Sequence, residues 1–344
     1  MKVAIVGTGL IGCERIEAIR QIAKASSGEV ILESVFDNDP ERMIKIESKY
    51  GVPVTTDLEQ LLQKKPDWIF ICTPHDVAKS IAVKAFQNGS NVLIEKPLGR
   101  TLGECNEIIE EKPSNKKLYV GFNYRFYRGI EAAIRDARAG AFGRLISVNM
   151  VLGHGNSPGM EKSWKLDPVR CGGGCLIDPG VHLLDLILLL AIGHVTVNLA
   201  KEWRGFWNTG IEEEAHVILT DEMGTIFNMQ SSLNRWRSSF QLEINGTDGY
   251  GIVEGRGRSY GPQTYRIGRR WGWQGGVSQK ESEVKVIDND LGEDSFLKET
   301  ATLLLSNSAL DRIFNYAPVL EPCNYLEAKA VMNLLDQCQK TLIN

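Results

Sequence analysis

The 344-residue sequence contains no long apolar run, no strong excess of either charge and no paired-cysteine pattern. Its longest apolar stretch, Leu183 to Ile192, is too short to cross a bilayer and is interrupted by Asp185, so no membrane partner is expected. Lysine and arginine number 39 against 43 aspartate and glutamate, a formal net charge of −4. That balance lacks the basic footprint of a nucleic-acid binder. The cluster Arg256, Arg258, Arg266, Arg269 and Arg270 is diluted by glycines and aromatics and reads as loop or surface. The seven cysteines, at 13, 72, 105, 171, 175, 323 and 338, are odd in number and scattered, as free thiols of a reducing cytoplasm would be. Cys171, Cys175 and nearby His182 lack a second ligand pair, so no metal is expected. Met1-Lys2 runs straight into Val3-Ala4-Ile5-Val6, which is not the pattern of a secretory signal, and a cytoplasmic location is expected.

What is present is ordinary globular composition, 43% apolar and 24% charged, in a chain long enough for about two domains. The first third alternates short apolar runs with helical periodicity. Strands are expected at Lys2–Val6, Val30–Phe36, Val52–Thr56, Trp68–Cys72, Asn91–Ile94 and Leu118–Gly121. Helices are expected at Ile11–Ala23, Pro40–Lys49, Leu58–Gln63, Ala78–Gln87 and Leu102–Glu111. Continuous apolar strands alternating with helices predict a doubly wound parallel sheet covered on both faces.

After about Phe122 the texture changes. Helices are expected over Tyr127–Ala139, Leu176–Leu190, Ser295–Ser306 and Tyr325–Leu342, and a strand over Leu145–Gly153. Further short β-rich runs are Ala215–Leu219, Thr225–Gln230, Ser239–Gly246, Gly251–Glu254 and Val284–Ile287. Asn245-Gly246, Asp248-Gly249 and Asp288-Asn289-Asp290 supply turns between them. The expectation is an α/β chain: residues 1–122 form a dinucleotide-binding domain, and 123–344 an α+β domain with a large, mostly antiparallel sheet open on one face. The conformation of Gly255–Gln279, rich in glycine, arginine and aromatics, is not assigned from sequence.

Gly7-Thr8-Gly9-Leu10-Ile11-Gly12 is a G-x-G-x-x-G between a strand and a helix. The first glycine permits the tight turn, the second lets backbone approach a pyrophosphate, and the third lets helix and strand pack closely. The helix N-terminus then presents N–H groups and a positive dipole end to the phosphates. Asp37 ends the second strand, where a carboxylate accepts hydrogen bonds from the adenosine ribose and repels a 2′-phosphate. No Arg or Lys lies within the four residues after Asp37, Arg42 being the first, so NAD is favoured over NADP; the plainer role for Asp37 is a helix cap. Thr73-Pro74-His75 and Glu95-Lys96-Pro97 end two further strands at the same edge of the sheet. Lys96 is placed to hold a substrate hydroxyl or share in proton transfer, and a Glu95–Lys96 ion pair is the plainer alternative.

In Gly172-Gly173-Gly174-Cys175-Leu176-Ile177-Asp178-Pro179-Gly180-Val181-His182-Leu183-Leu184-Asp185, the polar residues Asp178, His182 and Asp185 recur at i, i+4 and i+7. On a helix that spacing stacks them along one stripe of an otherwise apolar, buried element, where they need partners or a cavity. Histidine suits accepting the proton of an alcohol that becomes a ketone, and a carboxylate beside it orients it or binds a second hydroxyl. Asp178 before Pro179 also fits a helix N-cap. Three glycines just upstream allow close backbone approach to another group.

Taken together, Gly7–Gly12, Asp37, Glu95-Lys96-Pro97 and Gly172–Asp185 resemble the glucose–fructose oxidoreductase/inositol dehydrogenase family, Gfo/Idh/MocA, over essentially the whole chain. The resemblance implies an N-terminal Rossmann domain, then an open-sheet α/β domain, and a pyridine-nucleotide oxidoreductase acting on a secondary hydroxyl of a sugar, inositol or related compound. Lys96, Asp178 and His182 match the family's lysine, substrate-binding aspartate and catalytic histidine. Gly7, Gly9, Leu10, Ile11, Gly12, Asp37, Thr73, Pro74, His75, Glu95 and Lys96 are the expected cofactor contacts. Tyr124 and Arg125 look like the segment entering the substrate cleft. Trp164, with Lys162 or Lys165, lies in a stretch similar to a substrate loop, and Arg235 and Trp236 are further candidates. Face-to-face pairing of the open sheet implies a homodimer or homotetramer. Two rival readings are a glycoside-cleaving enzyme that uses tightly held NAD through transient oxidation, and a nucleotide-sensing protein without catalysis.

Overall fold

The computed structural model describes residues 1–269, the backbone of 283–287, and 294–343. The turn expected at Asp288-Asn289-Asp290, Arg270, and most of the end of Gly255–Gln279 lie outside the described residues. The chain forms two compact units: Met1–Asn123 with Ser295–Met332, and Tyr124–Asp294 with Asn333–Asn344.

The first unit begins β1 (Lys2–Val6), α1 (Leu10–Ala25), β2 (Ile31–Phe36), α2 (Pro40–Tyr50), β3 (Val54–Thr55), α3 (Leu58–Gln63) and β4 (Trp68–Ile71). It continues through α4 (His75–Gln87), β5 (Asn91–Glu95), α5 (Leu102–Glu110) and β6 (Leu118–Gly121). The strands pair in parallel in the order β3-β2-β1-β4-β5-β6. The order reverses at β1/β4, and the carboxyl ends on either side of that point are where such sheets bind ligands. Every residue of β4 is buried, as a strand covered on both faces requires. Asp39 and Asp57 cap α2 and α3 through their side chains.

In the second unit come α6 (Arg128–Arg138), β7 (Leu145–Gly153), α7 (Pro168–Cys171), α8 (Val181–Leu190), β8 (Thr196–Trp203) and β9 (Glu214–Thr220). Then follow β10 (Ile226–Ser232), β11 (Ser239–Gly246), β12 (Gly249–Glu254), β13 (Gln263–Arg269) and β14 (Glu283–Ile287). The sheet order is β14-β13-β12-β11-β7-β10-β9-β8, mostly antiparallel with β7 and β10 parallel. Val148, Met150, Leu152, Val217, Leu219, Phe227 and Met229 point inward and are buried. On the opposite face Ile218, Leu199 and Ile226 are exposed, beside the cross-strand pair Asn149–Asn228.

The chain ends with α9 (Ser295–Leu304), α10 (Asn307–Phe314), β15 (Cys323–Asn324), α11 (Tyr325–Thr341) and β16 (Leu342–Ile343). A boundary with everything after residue 122 in one domain therefore does not describe the units: α9 packs on α1, and β15 pairs with β6. The reason is a buried charge. Arg15 on α1 is fully buried, and its guanidinium reaches Glu95 (2.7 Å), Thr300 (2.9 Å) and Glu299 (2.5 Å). Burial alone would lower the Arg15 pKa, but Glu95 and Glu299 raise it, so the charge is held. A buried cation needs such partners, and α9 brings two of them from 284 and 285 residues away.

The expected helix Leu176–Leu190 starts later, at Val181, with Gly180 as an N-cap that makes no side-chain cap. The amides upstream are already satisfied. Gly174 and Leu176 donate to Glu212 Oε1, and Cys175 donates to the Glu212 carbonyl. Asp178 thus precedes the helix, is not its cap, and does not share a helical stripe with His182 and Asp185. β8, β13 and α10 are elements not expected from the sequence.

Candidate active site

In the first unit the candidate site is built from backbone. Gly7 has φ +94°, and a Cβ there would stand 2.6 Å from the Cys72 carbonyl oxygen. A Cβ on Gly12 would stand 2.0 Å from the Gly7 oxygen, whereas one on Gly9 would meet nothing within 4 Å. The outer glycines are therefore demanded by the protein's own packing, and the middle one faces open space. Helix α1 starts there with no side-chain cap and no acidic residue in its first turn, which leaves its N–H groups and dipole for an anion. Leu10 opens the helix, 69% exposed. Thr73 Oγ1, beside Gly7, is buried without a hydrogen-bond partner among the described residues. An uncapped helix start, an open glycine and an orphaned hydroxyl are what a dinucleotide pyrophosphate fits.

Asp37 is buried and tightly held. Its Oδ2 accepts from Thr8 N (2.8 Å), Thr8 Oγ1 (2.9 Å) and Arg42 Nη1 (3.2 Å), and Oδ1 accepts from Asp39 N (3.1 Å). Burial works to raise its pKa, but the Thr8 bonds, the Asp39 amide and the Arg42 charge leave it below the usual carboxylate value. Asp37 is therefore an ionised acceptor; the cap of α2 is Asp39. Arg42, five residues on, reaches this carboxylate after all. His75 is the first residue of α4 and is buried, not an exposed loop histidine. Glu95 and Lys96 end β5, and Glu95 Oε1 accepts from Arg15. The peptide bond Lys96–Pro97 is cis, as is Asp178–Pro179.

The second unit builds its site from side chains. His182, 5% exposed, lies on the first turn of α8, and its ring stacks on Tyr124 with centroids 4.0 Å apart and planes at 23°. Tyr124 also meets Tyr127 and, at the start of β11, Phe240. Arg256 lies over the Tyr124 ring and donates to Tyr127 Oη. Asp178 pairs with Lys165 (Nζ–Oδ2 2.9 Å), and this charge raises the Lys165 pKa against the opposing effect of burial. Lys165 stands near the Trp164 ring. This unit thus gathers Tyr124, His182, Arg256 and Tyr127 in one cluster, and ties Trp164 and Lys165, between β7 and α7, to Asp178, between α7 and α8.

Two expectations change. Arg125, expected at the substrate cleft, is buried with its guanidinium engaged by Asp185, Nε on Oδ2 (2.9 Å) and Nη2 on Oδ1 (2.5 Å). Asp185 consequently serves this ion pair. The glycine run approaches the chain itself, since a Cβ on Gly174 would lie 2.0 Å from the Glu212 carbonyl oxygen. Sequence reasoning missed Arg15, Glu299 and Arg256; an arginine at the third position after the last glycine of the turn was the one readable signal. Among the described residues no group of three or more His, Cys, Asp or Glu side chains is placed to hold a metal, and no helix is long and apolar enough to cross a membrane.

Residues 1–122 match the family model described as oxidoreductase family, NAD-binding Rossmann fold, and residues 130–251 match the C-terminal domain model of the same family. An oxidoreductase of Streptococcus pneumoniae is 25% identical over 249 residues, covering 70% of this chain and 64% of that protein. The 2,7-anhydro-N-acetylneuraminate hydratase of Mediterraneibacter gnavus is 26% identical over 264 residues, covering 72% of this chain and 65% of its own. The chain thus spans just under two thirds of the length of these two relatives. The aldose-aldose oxidoreductase of Caulobacter crescentus has the same fold, with a TM-score of 0.77 at 18% identity over 99% of this chain and 97% of its own.

Proposed function

Given that the chain belongs to the NAD-binding Gfo/Idh/MocA oxidoreductase family, we propose that it oxidises, reversibly, one secondary hydroxyl of a sugar, inositol or sugar derivative. The observation that carries this reading is the His182 imidazole, buried and held flat by Tyr124 in the unit that also carries the Asp178–Lys165 pair. A bound nicotinamide dinucleotide would supply the two-electron acceptor. Gly7, Gly9, Leu10, Ile11 and Gly12 would hold its pyrophosphate at the start of α1, Asp37 its ribose, and Thr73, Pro74, His75, Glu95 and Lys96 the strand-end side of the crevice.

His182 takes the hydroxyl proton as the alcohol becomes a carbonyl, and returns it in the reverse direction. Stacking on Tyr124 fixes the ring's plane, so orientation is set before substrate arrives. Lys96, the lysine that matches the family pattern, would stabilise alkoxide character on the substrate by donating a hydrogen bond. Asp178 accepts from a neighbouring hydroxyl, and Lys165, 2.9 Å from its Oδ2, aims that carboxylate. Trp164 offers an apolar face to the sugar's C–H surface. NAD is the preferred cofactor because the Asp37 charge opposes a 2′-phosphate. Copies of the chain pair through the exposed sheet face that carries Leu199, Ile218 and Ile226, as a homodimer or homotetramer.

The test is NADH formation over a panel of sugars, inositols and nucleotide sugars, followed by His182→Ala. Turnover should fall by roughly 10²–10⁴, the usual worth of positioned acid–base catalysis, with NAD affinity unchanged. Near-normal turnover in the variant removes His182 from the reaction.

A further inference from the structure

One end of the second unit's sheet is crowded with connections. The register sets Gly153 opposite Ser232 and Ser239, and Glu214 opposite Ser232 and Trp203. From that end leave the stretch after β7, the β8–β9 connection (204–213) and the β10–β11 connection (233–238). Glu213, buried, knits the last two. Its carboxylate accepts from the amides of Gly205 (3.3 Å), Phe206 (2.9 Å) and Trp207 (2.8 Å) and from Asn234 Nδ2 (3.0 Å). Trp207 Nε1 donates to the Leu233 carbonyl, and Arg235 N to that of His154. Gly155 fits against Trp236, where a Cβ would come within 2.9 Å of the indole.

What this framework holds rigid is an aromatic surface. The Phe206 ring meets Trp207 and Trp236 edge-on, each with centroids 5.0 Å apart. Yet Phe206 is 48% and Trp236 69% exposed. Aromatic surface fixed in water by a buried carboxylate marks a binding surface rather than a core. Arg235 and Arg237 are the sequence neighbours of Trp236 on this connection, Arg235 half-buried and Arg237 exposed, with no side-chain hydrogen bond or ion pair among the described residues. On the same connections Asn156 Nδ2, Thr209 Oγ1 and Asn234 Oδ1 are buried without hydrogen-bond partners among the described residues, a state that calls for an additional polar group.

His182 and Tyr124 reach this end of the sheet at Phe240, on β11. Phe206 and Trp207 sit on the β8–β9 connection, and β9 stands beyond β7 and β10 from β11, about 14 Å from it at ordinary strand spacing; Trp236, on the β10–β11 connection, meets Phe206 and lies between. We propose that Phe206, Trp207, Trp236, Arg235 and Arg237 form a second carbohydrate subsite, for an acidic sugar residue linked to the ring that reacts near His182. The proposal rests on the dehydrogenase reading for the reacting ring. Aromatic faces take the C–H face of a pyranose, and paired guanidinium groups take its carboxylate. A second copy is disfavoured as occupant, because a two-fold contact here would set arginines against arginines.

Calorimetric titration tests this without turnover, using α-1,4- and β-1,4-linked di-uronides, the matching mono-uronides, cellobiose and uridine diphosphate. At least one di-uronide should bind the wild-type protein and His182→Ala equally, and at least tenfold more tightly than cellobiose and its own mono-uronide. Trp236→Ala should weaken that di-uronide at least tenfold. Arg235→Gln with Arg237→Gln should remove its advantage over cellobiose. The subsite is overturned if no di-uronide binds, if none exceeds cellobiose or its mono-uronide, if uridine diphosphate alone binds as tightly, or if Trp236→Ala changes the oligomeric state. Normal turnover in His182→Ala would instead defeat the dehydrogenase roles while leaving the titrations standing.

Discussion

Both units bury an arginine, but they use it differently. In the first, Arg15 ties α1 to the end of β5 and to α9, while the candidate site of that unit is backbone, shaped by Gly7 and Gly12. In the second, Arg125 belongs to the recognition surface's own foundation. It is adjacent in sequence to Tyr124, the ring that orients His182, and its bidentate partner Asp185 lies one helical turn beyond His182 on α8. A site made of backbone is spoiled by adding an atom; a site made of side chains is spoiled by releasing one.

The largest effect is expected where the second kind of site is released. Arg125→Met leaves the Asp185 carboxylate buried without its guanidinium, a change that costs about 3–5 kcal/mol. Thermal melting should show a large fall in the midpoint of the second unit. Adding Asp185→Leu removes the stranded charge, and much of the lost stability should return, since a well-packed apolar pair is often as stable as a buried ion pair. If Arg125→Met melts like the wild type, the pair does not support α8 and the contrast between the two units fails.

The first kind of site is spoiled by one methyl group. Gly12→Ala sets a Cβ against the Gly7 carbonyl at 2.0 Å, where only backbone can yield. The turn must open, and NAD affinity should drop roughly 100-fold, about 2.7 kcal/mol. The far-ultraviolet circular dichroism should stay native. Gly9→Ala is the internal control: its Cβ meets no protein atom within 4 Å, so affinity loss there reports crowding of the ligand alone. Equal fluorescence-titrated affinities for wild type and Gly12→Ala would show that the turn does not depend on close packing.

This difference also decides what could be read from the sequence. The parallel sheet of the first unit and its glycine turn were legible because strand runs such as Lys2–Val6 and the spacing of Gly7, Gly9 and Gly12 are local patterns. The return of α9 was not, because its cause is a pairing of Arg15 with Glu299 and Thr300 across most of the chain. In the second unit His182 was found as a polar residue on an apolar helix, and Asp178 through the family pattern. The helical stripe proposed for them failed: Glu212 takes the amides of Gly174 to Leu176, and the helix begins only at Val181. Arg125 was placed toward substrate because nothing in its neighbourhood names Asp185, sixty residues on, as its partner. Strand β13 was hidden by glycines and arginines that look like loop; its register with β12 places Tyr265 inward, where its hydroxyl donates to Asp136.

The smallest effect expected concerns the choice of cofactor, and it sharpens the account of the first unit. Counting residues after Asp37 made Arg42 too distant to matter, yet the first turn of α2 folds it back to 3.2 Å from the carboxylate. Its side chain is 46% exposed, so the ion pair itself adds little stability. On the proposed NAD reading, Arg42 would be the positive group that meets a 2′-phosphate, opposing the charge of Asp37. Arg42→Ala should therefore leave the kcat/KM for NAD within about twofold while lowering that for NADP several-fold, since one exposed charge contact is worth on the order of 1 kcal/mol. Parallel initial-rate measurements with the two cofactors read the ratio directly. An unchanged ratio would mean that Asp37 alone sets the preference, and that the Arg42 contact serves only the loop between β2 and α2.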